Sequence, residues 1–141
     1  MPSRDATREV FFGAWRAYRA GEPLEGIKKL VVRIALEHPE YQSMLDDAAA
    51  NADRDYTPEM GQTNPFLHMG MHIAIEEQLA LDQPRGVRAR YAALCARLGD
   101  AHAVQHLIME CLGEMLWQAQ QSDATPNEQR YLECLDALSR R

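Results

Sequence analysis

Apolar side chains recur every three or four residues over most of the chain, a period that predicts helices. In the first helix, Phe11, Trp15 and Tyr18 follow the spacing i, i+4, i+7 and form an aromatic stripe that should cover the core. The stretch 51–63 is polar and contains Pro58 and Gly61, so it predicts a loop. The predicted helices span residues 5–20, 24–38, 40–50, 64–81, 84–98, 100–121 and 126–138.

Residues typical of helix ends support these boundaries. Asn64 can cap the fourth helix, with Pro65 in the first helical position, where no backbone donor is needed. Asp100 is placed to cap the sixth helix, and the stretch from Thr125 to Glu128 has the form of a capping box. Glycines end two helices and Pro39 disrupts another or starts a new turn.

The helices and the length of 141 residues predict one all-α domain over residues 1–141. We expect a helical bundle of about four core helices plus one or two short helices, with a metal site between helices. No linker or low-complexity segment divides the chain.

The two most apolar helices carry the same polar pattern. Each repeats histidine, histidine and glutamate at four-residue steps: His68, His72 and Glu76 in one helix, and His102, His106 and Glu110 in the other. Such steps keep three side chains within an arc of roughly 80°, each about 6 Å from the next along the axis. The rest of both helices is largely apolar, which is typical of buried helices, and buried polar groups need partners. We predict that the partners are metal ions.

Antiparallel packing would place the two sets of ligands opposite each other. Successive ligands on one helix lie about 6 Å apart along the axis. This spacing is compatible with two ions roughly 3.5–4 Å apart that draw ligands from both helices. His38, on the apolar stripe of another helix, would add a nitrogen, and Glu114 would bind as well or orient a histidine. Imidazole and carboxylate together suit a divalent transition metal, iron first, with zinc, nickel or manganese as alternatives.

A purely structural interpretation stays open. Histidine and glutamate four residues apart on a helix can form hydrogen-bonded pairs, and a complete network would satisfy them without a cation. The metal interpretation is favoured because four of only five histidines fall in two copies of one spacing on apolar helices.

Charge and composition exclude some functions. A formal charge of −6 argues against nucleic-acid binding, which needs a basic face. No apolar run reaches the roughly 20 residues of a membrane span, and the N-terminus lacks the pattern of a signal peptide. The three cysteines, Cys95, Cys111 and Cys134, contain no C-x-x-C pair, and we expect reduced core residues in a cytoplasmic protein.

Several segments resemble a bacterial protein family of unknown function over almost the whole chain. They are GEPL at residues 21–24, EHPEY at 37–41, TNPFLHMGMHIAIEEQ at 63–78 and MECLGEMLW at 109–117. That family implies no activity. By ligand inventory the chain is also similar to hemerythrin-like di-iron proteins and, more distantly, to DinB-like metal-binding bundles, and the first similarity implies oxygen binding.

The sequence therefore predicts a cytoplasmic metal-binding protein, with a di-iron site as one form. Its expected role is oxygen or redox sensing, metal handling or oxidation, with dioxygen or a small molecule as a further partner. One alternative is a hydrolase or transferase that uses a metal-bound water as nucleophile. Another is a non-catalytic interaction domain with a structural His–Glu network. The reaction and the oligomeric state stay open.

Overall fold

The structure is a computed structural model that describes residues 4–56 and 64–140, with side chains from residue 6 onward. No strand occurs in these ranges, so the all-α prediction is confirmed. None of the helices in them is long and apolar enough to cross a membrane. The helices are α1 (Arg4–Arg19), α2 (Ile27–Leu36), α3 (Pro39–Asp46), α4 (Ala48–Asn51), α5 (Pro65–Leu81), α6 (Val87–Leu98), α7 (Ala101–Ser122) and α8 (Glu128–Leu138).

The chain divides into two compact units, Met1–Ile73 and Ala74–Arg141. The first contains α1 to α4 and the start of α5, and the second contains the end of α5 and α6 to α8. A single domain and a bundle of about four core helices therefore stay predictions.

The core of the first unit is aromatic where α1 meets the start of α5. Phe11 and Phe12 are buried, and their ring centroids lie 5.8 and 5.6 Å from that of Phe66. Trp15 is buried one turn further along α1, where its indole nitrogen donates to Asp46 Oδ1 at 2.7 Å. The third member of the predicted stripe, Tyr18, is 38% exposed, so the stripe covers the core with two aromatic residues.

A sharp corner separates α2 from α3. The sequence predicts one helix over residues 24–38, but α2 begins only after Gly26, whose φ of 60° lies in the left-handed region. At the other end His38 leaves the helical conformation, with φ −127° and ψ 73°, and precedes Pro39. The proline ring disfavours a helical residue before it, so α3 starts a new helix.

The predicted helix over residues 40–50 is two helices. Asp47 adopts a non-helical conformation between them, and its side chain accepts a hydrogen bond from Ala50 N. Of the predicted loop 51–63, residues 57–63 lie outside the described part of the chain.

A buried arginine fixes the start of the 51–63 segment in the first unit. The Arg8 side chain donates from Nη1 to Ala52 O at 2.9 Å and to Arg54 O at 2.7 Å. Its guanidinium carbon also lies 4.5 Å from the ring centroid of Phe66. The charge is thus held by carbonyl oxygens and an aromatic face.

In the second unit, arginines of α6 make specific contacts. Arg88 donates to Leu79 O and Ala80 O at the end of α5, where helix carbonyls lack partners. Arg90 pairs with Asp136 of α8 through both carboxylate oxygens. These contacts connect α6 to the end of α5 and to α8.

Two further helix starts differ from the prediction, by three residues at α6 and by two at α8. The helix expected to start at Pro84 begins at Val87, because Asp82 Oδ1 accepts from the backbone N of Gly86 and Arg88 and holds the preceding turn. At α8 the cap is Asn127, which accepts from Arg130 N, so the predicted capping box at Thr125 does not form. At α8 the capping oxygen thus belongs to a residue two positions closer to the helix than Thr125.

The cysteine prediction is also wrong in part. Cys111 of α7 and Cys134 of α8 form a disulfide across the second unit, with their Cα atoms 5.8 Å apart. Helix packing brings them within the span that a disulfide requires, which a separation of 23 residues in the sequence does not reveal. Only Cys95 is a free cysteine among the described residues.

Tyr131 predicts how this unit responds to alkaline pH. Its hydroxyl donates to Gln78 Oε1 at 2.7 Å, and burial raises its pKa to about 12. The tyrosine of the unfolded chain loses its proton near pH 10. The contribution of the protonated Tyr131 hydroxyl to stability is therefore complete below pH about 10 and falls as pH rises towards 12. Tyr131→Phe should lower the free energy of unfolding by about 1 kcal/mol at pH 8 and flatten its decline between pH 10 and 12.

Urea unfolding followed by circular dichroism at several pH values measures this effect. Tyr18→Phe is the control, since it removes a hydroxyl from a side chain that is already 38% exposed. An unchanged alkaline slope in Tyr131→Phe would contradict the assignment.

Candidate metal centre

His38 occupies the corner between α2 and α3, where the chain turns before Pro39. Its side chain is 2% exposed, and Nδ1 lies 2.7 Å from Ile34 O, a backbone carbonyl of the preceding helix turn. A carbonyl oxygen only accepts, so Nδ1 must carry the hydrogen. In the neutral ring Nε2 is then left with a lone pair, and a carbonyl in this position commonly orients a metal-binding histidine.

Two histidines of α5 meet that nitrogen. His68 and His72 lie one helical turn apart, and their Nε2 atoms are 3.1 and 3.2 Å from His38 Nε2. The ring centroids of the three residues are 4.8 to 5.0 Å apart. His72 is buried and His68 is partly exposed. We call these three residues the histidine cluster.

Two of the three nitrogen separations match the distance between neighbouring ligands of one metal ion. Two nitrogens bound to one ion at about 2.0–2.1 Å in tetrahedral geometry are about 3.3 Å apart. The two measured separations in the cluster are 3.1 and 3.2 Å, and one ring nitrogen from each of the three residues lies within 4.8 Å of the others. Small rotations of the rings would therefore bring all three nitrogens to one ion.

A stacked tyrosine forms the wall of the histidine cluster. The ring of Tyr41 lies 5.4 Å from that of His38 at an interplanar angle of 9°. Burial, followed by the nearby charge of Glu40, raises the pKa of Tyr41, so the phenol is neutral at physiological pH. The stack restrains the rotation of the His38 ring that the Ile34 carbonyl already orients.

Residues 3–137 match the protein family described as a domain of unknown function, DUF1841. The chain belongs to the DUF1841 family. The match confirms the predicted membership of a family of unknown function and adds no activity. No curated protein and no solved structure matches the chain.

The other predicted ligands of this DUF1841 chain lie in its second unit. Glu76 accepts a hydrogen bond from Gln105 Nε2 at 2.8 Å, and Glu114, which is exposed, accepts one from Gln118 Nε2 at 2.9 Å. The rings of His102 and His106 meet edge to face with centroids 4.3 Å apart.

The candidate ligand set contains no carboxylate from the described part of the chain. Metal binding by the predicted ligands of the second unit stays a prediction; these are Glu76, His102, His106, Glu110 and Glu114.

Sequence reasoning on this DUF1841 chain underrated His38 and missed Gln105. The signal for His38 was present: the EHPEY segment places a histidine directly before a proline, at a forced helix end where a side chain can turn inward. Gln105 carried no such signal. It lies between the two histidines of α7 and is buried at 8% exposure, with Glu76 as its acceptor.

Proposed function

We propose that this DUF1841 chain binds one divalent transition-metal ion through His38, His68 and His72. The observation that carries the proposal is the convergence of three Nε2 atoms, two of them 3.1 and 3.2 Å from the third. The bond from His38 Nδ1 to Ile34 O supports it, because it leaves the Nε2 lone pair of His38 for the ion. The His38 ring would then be oriented for metal binding before the ion arrives.

The ligand chemistry favours a single nitrogen-preferring ion. Sites with two irons use carboxylates to bridge the ions, and the histidine cluster is built from imidazoles. Among divalent first-row ions, affinity for a nitrogen site rises towards nickel and copper and stays high for zinc. We therefore propose a mononuclear site and use Zn²⁺ as the probe. The hemerythrin-like di-iron site would be favoured instead by two irons per chain and a visible band on exposure to air.

The number of protein ligands separates a closed metal site from an open one. Three imidazoles leave one position of a tetrahedral ion for water, the arrangement in which zinc lowers the pKa of bound water to about 7. A hydrolytic enzyme is therefore the second candidate function, since the histidine cluster offers three imidazoles. A fourth protein ligand would close the site, and the ion would then be structural or stored.

Thermal unfolding with and without metal tests the proposal. Chelator-treated protein should gain about 2.7 kcal/mol when free Zn²⁺ reaches 100 times the dissociation constant, which raises Tm by roughly 8 °C. Mg²⁺ should have no effect, because it prefers oxygen ligands. An unchanged Tm with Zn²⁺, Co²⁺ and Ni²⁺ would contradict the proposal and leave a hydrogen-bonded histidine network that needs no cation.

A further inference from the structure

The disulfide of the second unit borders a surface cleft. Cys111 and Cys134 both line a cleft of about 320 Å³, together with residues of α7 and α8 that include Gln118 and Arg130. The two sulfurs differ in access, because Cys111 is 2% exposed whereas Cys134 is partly exposed. A reagent that enters the cleft can therefore reach the bond from the Cys134 side.

Contacts other than the disulfide also hold α8 in place. Leu135 and Leu138 of the helix are buried, and the Tyr131 hydroxyl donates to Gln78 Oε1 at 2.7 Å. Asp136 accepts two hydrogen bonds from Arg90 of α6. Apolar burial and these polar contacts would hold the helix in place after reduction. These contacts are the reason to expect that the disulfide can open while the fold is maintained.

We propose that Cys111 and Cys134 form a redox-active dithiol/disulfide pair that exchanges with an external thiol at Cys134. A thiolate of the external thiol attacks Cys134 Sγ and forms a mixed disulfide, while the Sγ–Sγ bond breaks and Cys111 leaves as a thiolate that takes up a proton. A second external thiol attacks the mixed disulfide and releases Cys134. Two external thiols are oxidised to their disulfide, and the protein disulfide is reduced to two thiols.

The difference in access between the two sulfurs sets the direction of attack. The cleft carries Arg130 together with the carboxylates Glu114 and Glu133, so its charge does not attract a thiolate, and the exposure of Cys134 directs attack to that sulfur. Cys111 is buried on α7 and serves as the leaving group. The reacting partner is a small thiol or a cysteine on a flexible peptide, because a cleft of about 320 Å³ admits a group of that size. The proposal is independent of the metal site.

Matched single-cysteine variants test the asymmetry. In a Cys95→Ser background, Cys111→Ser leaves Cys134 as the sole thiol, and Cys134→Ser leaves Cys111. Each folded variant is incubated with oxidised glutathione in metal-free buffer, and the adduct is measured by mass spectrometry. We expect the Cys134 thiol to form the mixed disulfide at least about tenfold faster than the Cys111 thiol, because access limits exchange. Equal rates at the two positions would overturn the assignment of Cys134.

Reduction of the wild-type protein gives the second readout. Reduced glutathione should open the disulfide under native conditions, with unchanged helical circular dichroism and a Tm lower by about 10 °C. Oxidised glutathione should restore the original Tm. If the bond opens only in denaturant, or if opening abolishes the helical signal, the disulfide is structural and the proposal is wrong. Circular dichroism of the two serine variants shows whether each one folds.

Discussion

We expect replacement of His38 with alanine to lower the affinity for Zn²⁺ by about 100- to 1000-fold. The reason is that His38 Nε2 is the atom that both other nitrogens of the cluster approach, at 3.1 and 3.2 Å. Loss of one of three ligands removes roughly a third of a binding free energy on the order of 10 kcal/mol. Competition with a chelator of known zinc affinity measures the change.

His102→Ala is the matched control for this experiment. Both residues are histidines that the sequence predicts as ligands, but His102 does not belong to the candidate ligand set found among the described residues. We expect its replacement to change the zinc affinity by no more than about threefold, which is below 1 kcal/mol. Equal losses in both variants would favour the original prediction of ligands drawn from the two histidine-bearing helices.

Trp15→Ala should lower the free energy of unfolding by about 4 kcal/mol. Trp15 is among the largest fully buried side chains, and truncation of a buried tryptophan typically costs about 3–5 kcal/mol. The indole also donates to Asp46 Oδ1, and this bond, followed by those from Arg19, lowers the pKa of Asp46. Trp15→Phe keeps most of the apolar contact and loses the donor, so we expect a smaller loss of about 1–2 kcal/mol.

The second tryptophan provides the control for Trp15. Trp117 is 57% exposed on α7, and Trp117→Ala should change the stability by no more than about 0.5 kcal/mol. Urea unfolding of the three variants, followed by circular dichroism, gives the comparison. A loss below about 2 kcal/mol in Trp15→Ala would mean that this part of the first unit is less tightly packed than its burial indicates.

Much of the helical pattern could be predicted because local rules determine it. Asn64 accepts from the backbone N of Phe66 and Leu67, and Asp100 accepts from those of His102 and Ala103, as their positions indicated. Gly99 ends α6 with a φ of 75°, a conformation that glycine adopts without strain. Caps of this kind depend on a few neighbouring residues and can be read from the sequence.

Features that depend on packing could not be predicted in the same way. The apolar pattern of α5 predicts burial all round, yet Leu67 and Leu81 are 62% and 70% exposed. The disulfide likewise follows from the packing of α7 against α8. For the candidate site, four-residue spacing correctly brings His68 next to His72, and Pro39 marks the corner at His38, but the contact between His38 and the two α5 histidines is a tertiary feature. Periodicity specifies which side chains share a helix face and leaves their partners open.

X-ray absorption spectroscopy of the zinc-loaded protein tests the central claim most directly. The account predicts one tightly bound ion per chain with a shell of nitrogen at about 2.0–2.1 Å and the scattering of at least three imidazole rings. In His38→Ala the number of imidazole rings should fall by one. A shell dominated by carboxylate oxygen, a sulfur shell near about 2.3 Å, or a spectrum unchanged by His38→Ala would contradict metal binding by the histidine cluster.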